Sequence, residues 1–275
     1  MMVVDSHFHC WRLDRGDYGW LTPALAPIHR DVAIADWQAQ AQPMGVTGGV
    51  LVQAAPTVAE TQFLIAQAQA HAAVLGVVGW TELLAPDAPA QIARLAAEPK
   101  LKGLRPMLQD IPDPDWLLQP ALAPAWKAMI AHGLVLDALV KPLHLSRVLK
   151  LARRHPELNI VIDHGAKPDI AQAQWQPWAD DLALIATQTR AVCKLSGLLT
   201  EAGPSPTPDA ARRWSQHVIA SFGPQRVLWG SDWPVLELAS DYASWWREVQ
   251  ALLAPCSEQD RSAILGGNAR RVYGL

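Results

Sequence analysis

The stretch Asn159-Ile160-Val161-Ile162-Asp163-His164-Gly165-Ala166-Lys167-Pro168 decides how the chain is read, because a β-branched run stops abruptly at two ionisable residues and a glycine. Three consecutive β-branched residues favour a strand, and a short apolar run without polar alternation fits a strand covered on both faces. Residues 145–154 before it carry helical patterning and stop ahead of Pro156, and residues 179–190 after it read as another helix. The same rhythm extends in both directions. Apolar runs recur at residues 3–9, 48–53, 74–80, 101–106, 134–140, 192–196 and 226–232, making eight with the first. Residues 58–72, 90–97 and 209–222 read as helices between them, with Gly133 and Gly223-Pro224 as helix stops. Strands alternating with crossovers of this length are parallel, and eight repeats allow the sheet to close on itself. The expected fold is α/β, a single (β/α)₈ barrel over residues 1–275. An open doubly wound sheet is the rival, but no loop supplies its usual Gly-x-Gly-x-x-Gly phosphate turn.

Composition agrees with one large core. Of 275 residues, 50% are hydrophobic and 18% charged, and the formal net charge is −3. A near-neutral chain without a Lys/Arg block is not built for nucleic acid, whose binding rests on phosphate neutralisation. No apolar run approaches the ~18 residues that cross a bilayer, so no membrane partner is expected. The start, Met1-Met2-Val3-Val4-Asp5, lacks the basic-then-apolar order of a signal peptide, and the expected location is cytoplasmic. Cys10, Cys193 and Cys256 form no Cys-x-x-Cys pattern and are expected as reduced thiols. No heptad or charge pattern points to an oligomer. Three irregular stretches, residues 11–30, 109–124 and 200–208, all follow strands, where barrel loops shape a pocket.

Ionisable residues cluster at the strand ends. His7 and His9 are two apart on the first strand, so strict alternation puts both imidazoles and Asp5 on one face, with Ser6 and Phe8 opposite. A pair of hydrogen-bonded core histidines is the plainer reading of the same spacing. His164 ends the sixth strand, and Asp232, in Gly230-Ser231-Asp232-Trp233-Pro234, ends the eighth. In a closed barrel His7, His9, His164 and Asp232 converge. Three imidazoles and a carboxylate can hold a divalent metal, or can act without one as a base and its orienting partners. Arg105 sits near the end of the fourth strand, where a guanidinium suits a carboxylate or carbonyl oxygen better than a metal shell. Trp11, Trp80 and Trp233 lie at or just beyond strand ends and could stack on a substrate ring; Gln53 and Lys167 are further candidate contacts. Lys194 and Ser196 share a face opposite Cys193. A buried lysine needs a partner, and Lys167 is preferred to Lys194 as a substrate contact.

These segments, from Asp5-Ser6-His7-Phe8-His9 through Asp163-His164-Gly165-Ala166-Lys167-Pro168 and Gly230-Ser231-Asp232-Trp233-Pro234 to Gly267-Asn268-Ala269-Arg270-Arg271-Val272-Tyr273, carry a resemblance across essentially the whole chain. The sequence resembles the amidohydrolase superfamily in its amidohydrolase 2 branch, and most of all the lactonase group of sugar-acid and pyrone-dicarboxylate lactonases. The resemblance implies a (β/α)₈ barrel and a hydrolase in which Asp232 is the general base, while His164, Arg105, a bound metal or a combination can polarise the carbonyl. It departs from the two-metal members, which carry a lysine or glutamate on the fourth strand and a histidine on the fifth; here the fourth offers Lys102 and Arg105 and the fifth Asp137. At most one divalent ion, zinc being the expected one, has donors at His7, His9, His164 and Asp232, and members of the group work with or without a metal. The expected reaction is opening of a sugar-acid lactone, a small-molecule substrate, by Asp-activated water. Two alternatives stand beside it: a metal-dependent decarboxylase of an aromatic or muconate-type acid, and a non-catalytic barrel that binds a sugar acid. No Gly-x-Ser-x-Gly elbow supports a serine nucleophile.

Overall fold

Alternation of side chains along each strand sorts the apolar residues into two layers, and that sorting shapes the molecule. The computed structural model of the chain describes residues 2–207 and 209–275; Met1 and Pro208, the latter the end of the third irregular stretch, lie outside the described residues. The strands are β1 (Val3–Phe8), β2 (Val46–Val52), β3 (Val74–Gly79), β4 (Leu101–Leu104), β5 (Val135–Ala138), β6 (Ile160–Ile162), β7 (Val192–Leu195) and β8 (Val227–Trp229). The helices that follow them are α1 (Ile34–Ala41), α2 (Val58–Ala70), α3 (Ala88–Ala96), α4 (Ala123–Ala131), α5 (Leu145–Arg154), α6 (Trp178–Gln188), α7 (Arg212–Phe222) and α8 (Tyr242–Leu253), with α9 (Glu258–Ser262) and α10 (Asn268–Tyr273) closing the chain. The strands lie in one parallel sheet in sequence order, β1 through β8, with no reversal. That order excludes a doubly wound sheet. The residues after β8 complete the cylinder against the end of β1: Asp232 N donates to His7 O at 2.8 Å and His9 N donates to Trp233 O at 2.8 Å.

Inside the cylinder, Val4, Val50, Val78, Val135, Val161 and Val192 pack with Leu228 into one apolar layer. Their neighbours Leu51, Leu136, Ile162, Leu195 and Trp229 point outward into the larger core beneath the helices. Full burial of such a side chain stabilises by about 1.5–3 kcal/mol, so both layers hold the strands in register. Helix α10 plugs the N-terminal end, where Ala269 and Tyr273 join the inner layer. Continuing the inner face upward by period two gives Asp137 above Val135, Asp163 above Val161 and Lys194 above Val192, all fully buried. The interior thus turns from apolar to charged toward the C-terminal mouth.

One expectation about β1 is corrected. The pairing of β1 with β2 shifts register between Asp5 and Phe8, which breaks strict alternation. Asp5 therefore faces the helices, not the pocket of His7 and His9: it accepts from Trp37 Nε1 at 3.0 Å, Tyr242 Oη at 3.0 Å and Ser231 Oγ at 2.6 Å. Phe8 lies on that side too, stacked on Trp37 with ring centroids 4.0 Å apart.

Candidate active site

His7 and His9 at the end of β1, His164 after β6 and Asp232 after β8 come together at the mouth. Asp232 Oδ1 lies 3.3 Å from His9 Nε2, 3.6 Å from His7 Nε2 and 3.8 Å from His164 Nε2. Sequence separation of 223 residues between His9 and Asp232 becomes contact because β1 and the chain after β8 close the barrel. The backbone is bent to achieve this. His164, Ala166, Lys167 and Asp232 all adopt positive φ, at 52°, 63°, 49° and 59°. Left-handed conformations in non-glycine residues cost about 1–3 kcal/mol each and cluster at functional sites. Gly197 permits the close approach of these groups, since a Cβ there would fall 2.4 Å from His164 Nδ1 and 3.0 Å from Asp232 Oδ2.

The far side of each imidazole is held. His9 Nδ1 bonds Val52 O at 2.8 Å, and a carbonyl can only accept, so Nδ1 carries a proton. His164 Nδ1 bonds Ser196 Oγ at 2.9 Å. A ring nitrogen anchored in this way aims its partner at a metal. His7, His9 and Asp232 form one group of potential ligand atoms within 4.8 Å of one another, and His7, Asp163 and His164 another. Each group offers three nitrogen and oxygen donors of the kind that could hold a divalent ion.

Fixed cations surround the cluster. Arg105 is locked by a reciprocal pair in which its Nη2 donates to Gln53 O and Gln53 Nε2 donates to Arg105 O at 2.6 Å. Its Nη1 reaches Asp163 Oδ2 at 3.4 Å and stands 3.4 Å from His7 Nε2. Beneath, Lys194 Nζ meets Asp137 Oδ2 at 2.5 Å, Asp163 Oδ1 at 3.1 Å and His7 Nδ1 at 3.1 Å. Tyr273 Oη, from the α10 plug, donates to Asp137 Oδ1 at 2.8 Å. Burial would raise Asp232, but His164, the hydrogen bond from His9, and His7 outweigh it and hold the carboxyl well below the usual range. Asp163 is likewise held low by Lys194 and His7 against its burial. Burial lowers His164 to about 4, against Asp232 and Asp163, with Lys167 and Arg105 adding to the fall. His7 is pushed well below its ordinary value by burial and then by Lys194. These shifts favour the ionised form of Asp232 and the neutral forms of His7 and His164.

A cavity of about 240 Å³ opens above, and His9, His164, Asp232, Arg105 and Lys167 line it as the sequence led one to expect. His7 is fully buried beneath that surface. Gln53 is also fully buried and serves Arg105. The three expected indoles stand off the cavity wall. Trp11 is buried with Nε1 on Arg30 O at 2.8 Å, Trp233 is buried with Nε1 on Glu237 Oε1 at 2.7 Å, and Trp80 faces a neighbouring cavity. A buried indole goes where its N–H finds an acceptor, and position at a strand end does not reveal that. Trp20 lines the cavity instead, tied by Nε1 to Ala54 O at 2.7 Å. It lies in the long stretch after β1, the signal that could have found it. Met107, Gln109, Asp110, Leu139 and Val235 were missed for a similar reason, since all follow strands β4, β5 or β8 in loops. Lys194, ranked below Lys167 from sequence, is wholly inside the barrel, whereas Lys167 pairs Glu201 at the rim at 3.2 Å.

Comparison with known proteins places this arrangement. The chain is 43% identical over 279 residues to the L-fucono-1,5-lactonase of Burkholderia ambifaria, covering 99% of this chain and 95% of that protein. It is 34% identical to the L-fucono-1,5-lactonase of Burkholderia multivorans, covering 99% of this chain and 96% of that protein. A crystal structure of an amidohydrolase from Burkholderia multivorans with bound zinc superposes with a TM-score of 0.92 at 32% identity, over all of both chains. The family model for amidohydrolases of the second branch matches residues 4–275, from the first strand of the barrel to its C-terminal plug, and the chain belongs to the amidohydrolase family.

Proposed function

We propose that this protein is a hydrolase that opens a sugar-acid lactone of the L-fucono-1,5-lactone kind, with Asp232 as the base that activates water. The observation that carries the reading is the placement of the Asp232 carboxylate, 3.3 Å from His9 Nε2 and lining a cavity that Arg105 also lines. Full-length similarity to two L-fucono-1,5-lactonases supports the substrate class. Asp232 takes a proton from water as the oxygen attacks the lactone carbonyl. Arg105, whose Nε is buried without a hydrogen-bond partner, supplies fixed positive charge for the developing oxyanion. A donor of that sort contributes about 3 to 4 kcal/mol to such a transition state. The ring C–O bond then breaks, and the leaving oxygen takes up the proton that Asp232, being a weak base, readily returns. The product is an open-chain hydroxy acid. A divalent ion bound by His7, His9, His164 and Asp232 would add Lewis-acid polarisation of the carbonyl. Met107, Leu139 and Val235 offer an apolar wall for ring carbons, and Gln109, Asp110 and Lys167 offer partners for hydroxyls.

The test is a pH-stat assay over panels of sugar lactones and aromatic acids. Lactone opening releases a proton at neutral pH, whereas decarboxylation consumes one, so acidification with an aldono-lactone is expected. Alkalinisation with an aromatic acid would favour the decarboxylase reading, and thermal stabilisation by a sugar acid without turnover would favour a binding barrel. Asp232→Asn should fold and lose at least about a hundredfold in turnover, the scale of general-base help. Near-normal turnover would remove Asp232 from that role. Full activity after complete chelation, with metal analysis to confirm it, would remove the ion from the mechanism.

A further inference from the structure

We infer that Trp20 is a specificity-determining residue: its indole face covers the C–H side of the bound lactone ring and selects a substrate that carries a methyl group, rather than a hydroxymethyl group, beside the ring oxygen. The inference rests on the lactonase reading and narrows it. Trp20 is 36% exposed, and of the large exposed hydrophobic residues among those described it alone lines the cavity of the site. Its one polar side-chain atom is already engaged, since Nε1 donates to Ala54 O at 2.7 Å. What the indole offers a ligand is therefore apolar surface and no donor. The ring is also fixed before anything binds. It stands edge-on to Trp11, with centroids 5.6 Å apart and planes at 88°. Trp11 is pinned in turn by Nε1 on Arg30 O and by backbone bonds in both directions with Val32. The segment between the two indoles is tied down at Asp17, which accepts from Thr57 Oγ1 at 2.9 Å and from Arg15 Nη2 at 2.8 Å. An aromatic wall held in this way loses little freedom when a ring lies against it.

Position round the mouth gives the wall its meaning. In barrel order the loops after β8, β1 and β2 contribute Val235, Trp20 and Ala54, an apolar arc. The polar wall groups outside the reactive cluster, Gln109, Asp110 and Lys167, all come from the loops after β4 and β6, beside Met107 and Leu139. A sugar lactone has a matching asymmetry where neighbouring C–H bonds fall on one face. With its hydroxyls toward Gln109, Asp110 and Lys167, its C–H bonds and C5 substituent lie toward Trp20. A methyl group there is buried against apolar surface, whereas a hydroxymethyl group loses water and meets no side-chain partner.

The experiment compares kcat/KM for L-fucono-1,5-lactone and L-galactono-1,5-lactone, which differ only by the C6 hydroxyl; a ratio of two substrates is unmoved by a general loss of active protein. Wild type should favour the first by about tenfold or more, the scale on which an apolar pocket reads a group of that size, and a ratio near one overturns the inference. Trp20→Ala should bring the ratio close to one, and an unchanged ratio in the folded variant overturns the inference. Trp20→Phe keeps an aromatic face without the N–H and should retain most of the preference; losing it as fully as Trp20→Ala would show that the face is not what the substrate meets. If Trp20→Ala does not fold, Trp20→Gln, which puts polar atoms in place of the face, carries the same expectation. If wild type opens no lactone, the lactonase reading fails, and calorimetric binding of L-fuconate and L-galactonate decides the role of Trp20 by the same ratios; no binding of either acid overturns it.

Discussion

Gly197 shows how tightly single atoms are set at the mouth of this barrel. Its φ is +61°, and a Cβ would lie 2.6 Å from His164 Cγ as well as against Nδ1 and the Asp232 carboxylate. Gly197→Ala should therefore push His164 off Ser196 and away from Asp232. The expected outcome is a loss of stability of about 1–3 kcal/mol, from strained backbone and overpacking, and a fall in turnover of about a hundredfold, since a misplacement near 1 Å can cost that much. Thermal melting and steady-state kinetics check both, and a variant with unchanged kcat would show that the contact is not needed. At the same scale the imidazoles and Asp232 were legible from sequence, because they follow apolar runs directly. Which tryptophan faces the cavity was not, because Trp11, Trp20 and Trp233 each follow the acceptor for their own N–H.

The start of α2 illustrates what an element contributes. Thr57 caps it, accepting from Glu60 N at 3.0 Å, and Glu60 in the first turn returns to the loop after β2, taking the N–H groups of Ala54 and Ala55. That loop carries Gln53, which locks Arg105, so a helix cap reaches the site through one residue. Burial pushes Glu60 up to about 7 from its ordinary 4.5, against those two backbone donors; Asp17 adds to the rise and Arg105 opposes it. A carboxyl raised in the folded state binds an extra proton there, so its stabilising contribution is complete below pH 4.5 and lost as pH rises through 7. Glu60→Gln has no such proton to lose. The variant should therefore improve relative to the parent by about 3 kcal/mol between pH 4.5 and pH 8, because holding a proton costs about 1.4 kcal/mol more for each step of one in pH. Urea unfolding at both pH values checks this, and parallel profiles for the two proteins would contradict it. The strands themselves were readable from their β-branched runs, and helix α5 occupies residues 145–154 as its pattern and the following Pro156 require. The register shift in β1 was not readable, because it arises from pairing with β2.

At the scale of the whole molecule, the barrel is fastened where its first and last strands meet, and Asp5 is the fastening. Its carboxyl accepts from Ser231 N at 2.8 Å and Ser231 Oγ at 2.6 Å after β8, from Trp37 in α1 and from Tyr242 in α8. One buried side chain thus joins the two ends of the sheet to the helices outside them. Asp5→Asn turns one acceptor into a donor amid donors, and should cost about 2–4 kcal/mol, with turnover falling as Asp232 and His7 lose their shared backbone bond. Denaturant midpoints measure the first effect and kinetics the second. A midpoint within experimental error of the parent would show that closure does not depend on this carboxyl. Within the described residues no helix is long and apolar enough to cross a membrane.

Chain order alone carried the alternation of strand and helix, the count of strands and the placement of His7, His9, His164 and Asp232 at strand ends, because each rests on neighbours within a few residues and on the period of a strand. The folded barrel decided which of those groups meet which. Lys194, Asp137 and Asp163 look like ordinary polar residues until three strands set them side by side in a medium that cannot solvate them, where each is held by the others. Distances between segments far apart along the chain govern such pairs, and no local pattern encodes a distance.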